Sequence, residues 1–207
     1  MSDGYRKPCA PCGTLAGMVT PDCFRTSSCL VVMGVSACGK SSIGRRVAAS
    51  LQGDFLDGDD LHSPENVADM AAGKPLTDTK RAGWLVAIHD AIVTHLNTSD
   101  RGFLVVACSA LRRRYRDRLR EGLASRVQFV HLTTDFATVL ERLESRTRHF
   151  MQGRHMLEDQ FAILEPLMPD ELADGGMEVN ASGQQRVIVD QIVRAAMSAC
   201  RTGRGLQ

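Results

Sequence analysis

Cys29-Leu30-Val31-Val32-Met33 runs directly into Gly34-Val35-Ser36-Ala37-Cys38-Gly39-Lys40-Ser41, and residues 40–51 then have the composition and spacing of a helix. An apolar run rich in β-branched residues, a glycine loop and a helix therefore follow one another without a gap. The loop satisfies GxxxxGK[ST] in the strand-to-helix setting that gives the pattern its meaning. Its glycines let the backbone wrap closely around phosphate oxygens. Several N–H groups converge there, and the helix start adds the positive end of its dipole. The cradle comprises Gly34, Val35, Ser36, Ala37, Cys38, Gly39, Lys40, Ser41 and Ser42. Lys40 is placed to reach the β and γ phosphates of a nucleotide, and Ser41 to offer its hydroxyl to Mg²⁺. Such a loop serves GTPases, motors and regulatory ATPases equally, so an acceptor site must be argued from other residues.

Outward from the loop, further short strands are predicted at 55–56, 103–107, 127–132 and 177–179. Helical patterns lie at 64–72, 79–96, 112–123, 136–145 and 184–199. Alternating strands and helices predict an α/β fold: a five-stranded parallel sheet with crossover helices on both faces. Residues 1–28 carry Pro8, Pro11 and Pro21 among Gly, Ser and Thr without apolar periodicity, and read as a flexible extension. One domain is expected over 29–200, with 201–207 as a tail.

With 207 residues, 43% of them hydrophobic, the chain has enough apolar material for the core of one ordinary domain. The 25 Lys and Arg nearly balance the 24 Asp and Glu, so no basic field points to nucleic acid or an anionic membrane. No apolar run approaches the roughly 20 residues of a membrane span, and no secretory signal is read at the start. The expectation is a soluble cytoplasmic protein, with organellar import left open. Cys9 and Cys12 are spaced as CxxC, but Cys23 and Cys29 form no second close pair, which favours a reduced extension over a zinc site.

Phe55-Leu56-Asp57-Gly58-Asp59-Asp60-Leu61-His62 puts three carboxylates and a histidine just beyond the second strand. In a doubly wound sheet that edge is where ligands bind. Like charges this close need a metal, an arginine or substrate hydroxyls to compensate them. On an extended backbone Asp57 and Asp59 would share one side. Asp57 is read as holding the Mg²⁺ hydration shell, and Asp59 as orienting an acceptor hydroxyl and taking its proton. Asp60 is the alternative proton acceptor. His62 either meets the substrate or caps the helix starting at Ser63-Pro64.

The loop Gly34 to Ser41, the run Phe55 to Asn66, Gly73-Lys-Pro-Leu-Thr-Asp78 and Arg81-Ala-Gly-Trp84-Leu together resemble the gluconokinase family. Cys108-Ser-Ala-Leu-Arg112, Tyr115-Arg-Asp, His149-Phe150, Gln160-Phe161 and Leu164-Glu165 continue the resemblance in order, over about residues 29 to 195. It implies phosphorylation of D-gluconate by ATP at the 6-hydroxyl, feeding the pentose phosphate route. It also implies a nucleoside-monophosphate-kinase-like fold and a homodimer. The chain departs from the family at Ala37 and Cys38, where Gly and Ser are usual, at Ser42 for Thr, at Thr79-Lys80 for acidic residues and at Gly83 for Pro.

A sugar acid carries a carboxylate, so Arg81 and Arg112 are the candidates to bind it. Trp84, the single tryptophan, is read as core packing. Arg142 and Arg146, four apart on one helix face, are assigned to the transferring phosphates, within a mobile lid over roughly residues 142–158. Val179, Asn180 and Ala181 are candidates for adenine contacts through backbone groups. Adenylylsulfate kinase also carries Asp-Gly-Asp after its second strand and stays a rival. Shikimate kinase would need a glycine-rich triplet where Cys108-Ser109-Ala110 stands. A non-catalytic ATP-binding regulator would not need the acids and the arginines together.

Overall fold

Leu30 and Val32 bury one side of the first strand while Cys29, Val31 and Met33 bury the other. Side chains on a strand change face at every residue, so burial of both sets requires helices above and below the sheet. A computed structural model, which describes residues 27–74, 76–99, 102–145 and 150–201, has this arrangement. The N-terminal CxxC, Arg146, Arg148 and His149 lie outside the described residues.

The strands are β1 (Ser28–Met33), β2 (Asp54–Asp57), β3 (Phe103–Ala107), β4 (Val127–Thr133) and β5 (Met177–Asn180). They form one parallel sheet in the order β2-β3-β1-β4-β5. The helices are α1 (Lys40–Ser50), α2 (Pro64–Ala71), α3 (Asp78–Thr98), α4 (Arg113–Arg120), α5 (Phe136–Glu144), α6 (Phe150–Ile163), α7 (Pro169–Ala173) and α8 (Gln185–Arg201). Ile43 and Val47 of α1, Val139 of α5, Leu157 of α6 and Ile192 of α8 cover the Leu30 face. Trp84, Ile88 and Ile92 of α3 and Leu119 of α4 cover the Cys29 face. Among the described residues no helix is long and apolar enough to cross a membrane.

The structure corrects three expectations. The helix expected at 112–123 ends at Arg120 and gives way to a short 3-10 turn, Ala124–Arg126. Helices α6 and α7 were not anticipated, and the second half of the stretch assigned to a lid is the start of α6. Finally, Ser63 and not His62 caps α2, its Oγ accepting from the N–H of Asn66 at 3.2 Å.

Candidate active site

Two strands set the distance across the site. Val32 of β1 and Asp57 of β2 both pair with Ala107 of β3, so they lie on one line across the sheet, two strand spacings apart. At 4.7–4.9 Å per spacing this is about 10 Å. The phosphate loop and the acidic turn therefore leave the same edge, on either side of β3.

At the loop, Gly34 has φ 140°, and a Cβ there would stand 2.9 Å from the Leu132 carbonyl oxygen. A side chain would force β1 away from β4. Lys40 opens α1, and its Nζ donates to the Val35 carbonyl at 2.9 Å. Among the described residues the backbone N–H groups of Ala37, Gly39, Lys40, Ser41 and Ser42 donate to no protein acceptor. Five donors left open at the start of a helix form an anion cradle. The loop's side chains look elsewhere: Cys38 is buried, and the Ser42 Oγ accepts from Gln185 Nε2 of α8 at 3.2 Å. Ala37 has φ 59°, the left-handed region that disfavours a residue with a Cβ.

On the other side of β3 the strand ends at Asp57, and Gly58–Leu61 winds into a 3-10 turn. The extended alternation that would place Asp57 and Asp59 side by side stops there. The Asp57 carboxylate instead caps the turn, accepting from the Asp59 N–H at 3.4 Å. A Cβ on Gly58 would stand 2.8 Å from the Ala107 carbonyl oxygen, so glycine lets the turn sit on the end of β3. Asp57 is largely sheltered, with Arg45 3.8 Å from it, whereas the Asp59 side chain is 75% exposed.

Cys108, the residue just past the end of β3, reports on both halves. Burial pushes its thiol up to about 12, the Ala110 N–H and Lys40 oppose this, and Asp59 and Asp57 add to it. One buried point thus feels the loop lysine and both carboxylates.

His62 is pressed flat on Trp84, with ring centroids 4.3 Å apart, and its Nε2 lies 4.0 Å from the Asp59 carboxylate. Burial holds the imidazole below its ordinary value; Asp59 opposes this and Arg81 adds to it. Trp84 is core, as its sequence context suggested, and its Nε1 donates to the Gly58 carbonyl at 2.6 Å. The base of α3 therefore clamps the acidic turn.

Beyond His62 stands a wall of arginines around Tyr115. The guanidinium carbons of Arg81, Arg114 and Arg112 lie 5.1, 5.4 and 6.0 Å from the ring centroid. Tyr115 donates its hydroxyl to Asp78 at 2.7 Å and accepts from Arg81 at 2.9 Å, while Arg114 takes the other Asp78 oxygen at 2.7 Å. Asp78 is held below the usual carboxylate range by the Tyr115 hydroxyl and by Arg114. One carboxylate faces three cations, and among the described residues the Arg112 guanidinium makes no ion pair within 4 Å and no hydrogen bond. The wall keeps a positive excess suited to an anionic ligand.

Arg116, given no role from the sequence, holds that wall from behind. It is fully buried, and its Nε and Nη2 form a fork on Glu171 at 2.6 and 2.9 Å. The remaining N–H groups reach the carbonyls of Ala110, Glu165 and Pro166. Arg142 donates to the Ala181 carbonyl at 2.9 Å, and the Asn180 side chain accepts from the Ser182 N–H at 2.8 Å. Arg142 thus holds the turn where adenine contacts were expected.

The sequence matches the shikimate kinase family over residues 36–196. It is 43% identical over 141 residues to the thermosensitive gluconokinase of Escherichia coli, covering 68% of this chain and 73% of that protein. Among solved structures, a gluconokinase from Sinorhizobium meliloti is 37% identical with a TM-score of 0.70, covering 86% of this chain and 94% of its own. An unliganded sugar kinase from Janibacter is 35% identical with a TM-score of 0.75, covering 84% and 97%. A P-loop after β1, an acid turn across β3 from it and these matches together lead to one conclusion: the chain belongs to the shikimate kinase family, and within it stands with the gluconokinases.

Proposed function

We propose that the protein transfers the γ-phosphoryl group of ATP to the 6-hydroxyl of D-gluconate, giving 6-phospho-D-gluconate and ADP. The observation that carries this reading is the shared sheet edge: loop and acidic turn flank β3 about two strand spacings apart. In the transfer, the acceptor oxygen bonds to the γ phosphorus as the bond to the β–γ bridging oxygen breaks. The five open N–H groups and Lys40 hold the phosphates. Asp59 orients the 6-hydroxyl and takes its proton, and His62 lines the acceptor side next to it. Arg81 and Arg112 meet the carboxylate at the far end of the sugar acid. Arg142 supports the nucleotide side through the turn at Ala181.

Ser41 and Asp57 offer a hydroxyl and a carboxylate, an all-oxygen donor set that fits Mg²⁺, and the Ser41 hydroxyl has no protein partner among the described residues. Held there, the ion would supply positive charge to offset that of the transferring phosphoryl group. A coupled ADP-release assay over a panel of sugar acids tests the proposal: gluconate should be the preferred acceptor, and a panel without acceptor-dependent ADP release would defeat it. Asp59→Asn should lower kcat about 10²–10⁴-fold while ATP binding stays near native. Near-native turnover in that variant would remove Asp59 from the role.

A further inference from the structure

Ser36 is the one residue of the phosphate loop whose N–H is taken by a side chain from far along the sequence. Gln160 of α6 accepts it through Oε1 at 2.6 Å and donates Nε2 to the Ser36 Oγ at 3.0 Å. The two arms fix the orientation of the amide, because an N–H donor requires the oxygen facing it. The next residue, Phe161, lines a cavity of about 120 Å³ with Val35, the loop residue beside Ser36, and with Leu164. Phe161 is also locked edge-on against Phe136 of α5, with centroids 5.4 Å apart. The far end of α6 is thus seated on the loop by a polar clamp and an aromatic wedge.

We propose that Gln160 is a positioning residue for nucleotide binding. It removes Ser36 from the set of phosphate donors, and it keeps the other five N–H groups converged before the nucleotide arrives. Preorganised donors cost no rearrangement when the anion binds, which is why a contact that touches no ligand acts on affinity. A neutral amide suits the task because it answers an N–H and a hydroxyl oxygen together. Leucine fills similar space but leaves the Ser36 N–H without a partner.

The inference rests on the kinase reading, and its test separates the two. MgATP binding is measured by calorimetry with no acceptor present, alongside steady-state kinetics with gluconate. For Gln160→Leu the expected result is about a 10-fold weaker ATP Kd and a matching rise in the KM for ATP. The gluconate KM should stay near wild type, and the thermal midpoint should fall by only a few degrees. Ser36→Ala, which removes only the hydroxyl arm, should weaken ATP binding less than Gln160→Leu does. ATP affinity within twofold of wild type in folded Gln160→Leu would overturn the role, as would equal losses toward ATP and gluconate. If Gln160→Leu does not fold, Gln160→Asn, with its amide one carbon short, should show the same selective loss of ATP affinity, and native affinity there would overturn the proposal. Wild-type protein that binds ATP but ignores every sugar acid would sink the gluconate reading and leave this one standing.

Discussion

Between Gly34 and Ser42 the chain makes its phosphate site almost wholly from its own backbone, whereas the wall opposite is assembled from side chains far apart in sequence. The loop needs no ion pair: its open N–H groups and one lysine are contiguous. The wall needs Asp78, Arg81, Arg112 and Tyr115 brought together, with Arg116 fastened to Glu171 behind them. Arg112 and Arg116 sharpen the contrast, since they stand one helical turn apart. The guanidinium of one has no hydrogen-bonded partner among the described residues; the other spends its donors on the protein. Function at the loop is a property of backbone geometry, while at the wall it depends on a buried anchor.

The strongest way to break this comparison is to remove the anchor. Arg116→Ala leaves the Glu171 carboxylate buried without its partner and should cost about 3–5 kcal/mol, a fall of roughly 10 °C or more in thermal midpoint. The double variant Arg116→Met with Glu171→Leu should recover much of that loss. A midpoint within 2 °C of wild type for Arg116→Ala, allowing about 2–4 °C per kcal/mol, would end the claim that the wall depends on it. Arg112→Ala should behave oppositely, keeping the fold but raising the KM for gluconate about 10- to 100-fold, with the KM for ATP unchanged; equal changes in both would place Arg112 elsewhere.

At the loop, Ala37→Gly relieves a left-handed alanine at φ 59° and should add about 1 kcal/mol of stability. Thermal melts that show no gain would mean that the loop relaxes around the alanine. The smallest effect concerns His62. Burial lowers its folded value below that of the unfolded chain, so the unfolded chain takes up the proton first as pH falls. Its contribution is therefore full above about pH 6.5 and declines below it. Melts between pH 7.5 and 5.5 should show a shallower slope for His62→Asn than for wild type, and parallel slopes would contradict the shift.

This division also explains what could be read from the residues. The strands themselves and the phosphate loop rest on short-range patterns, namely β-branched runs, Gly34, Gly39 and Lys40, and these survive in the structure, whereas the order of the strands in the sheet was not read from the residues. The acidic turn was legible as a cluster but not in its geometry, because an extended backbone gives way at Asp57 to a 3-10 turn clamped by Trp84. Helix α6 escaped notice because Gly153 interrupts its apolar positions; a Cβ there would stand 2.9 Å from Leu143 Cδ2, the movable end of a side chain on α5. Helix α7 has only five residues and is held by the Arg116–Glu171 fork, a contact 55 positions apart that no local pattern announces. The Gln160–Ser36 clamp spans 124 positions and is hidden for the same reason.

The clamp of α3 on the acidic turn has an optical consequence. Trp84 is the sole tryptophan of the chain, its indole N–H is tied to the Gly58 carbonyl, and its ring lies flat on His62. Tryptophan emission therefore originates beside the acidic turn. Without any label, the molecule carries a fluorophore that senses displacement of the Gly58–Leu61 turn while sitting across β3 from the phosphate cradle.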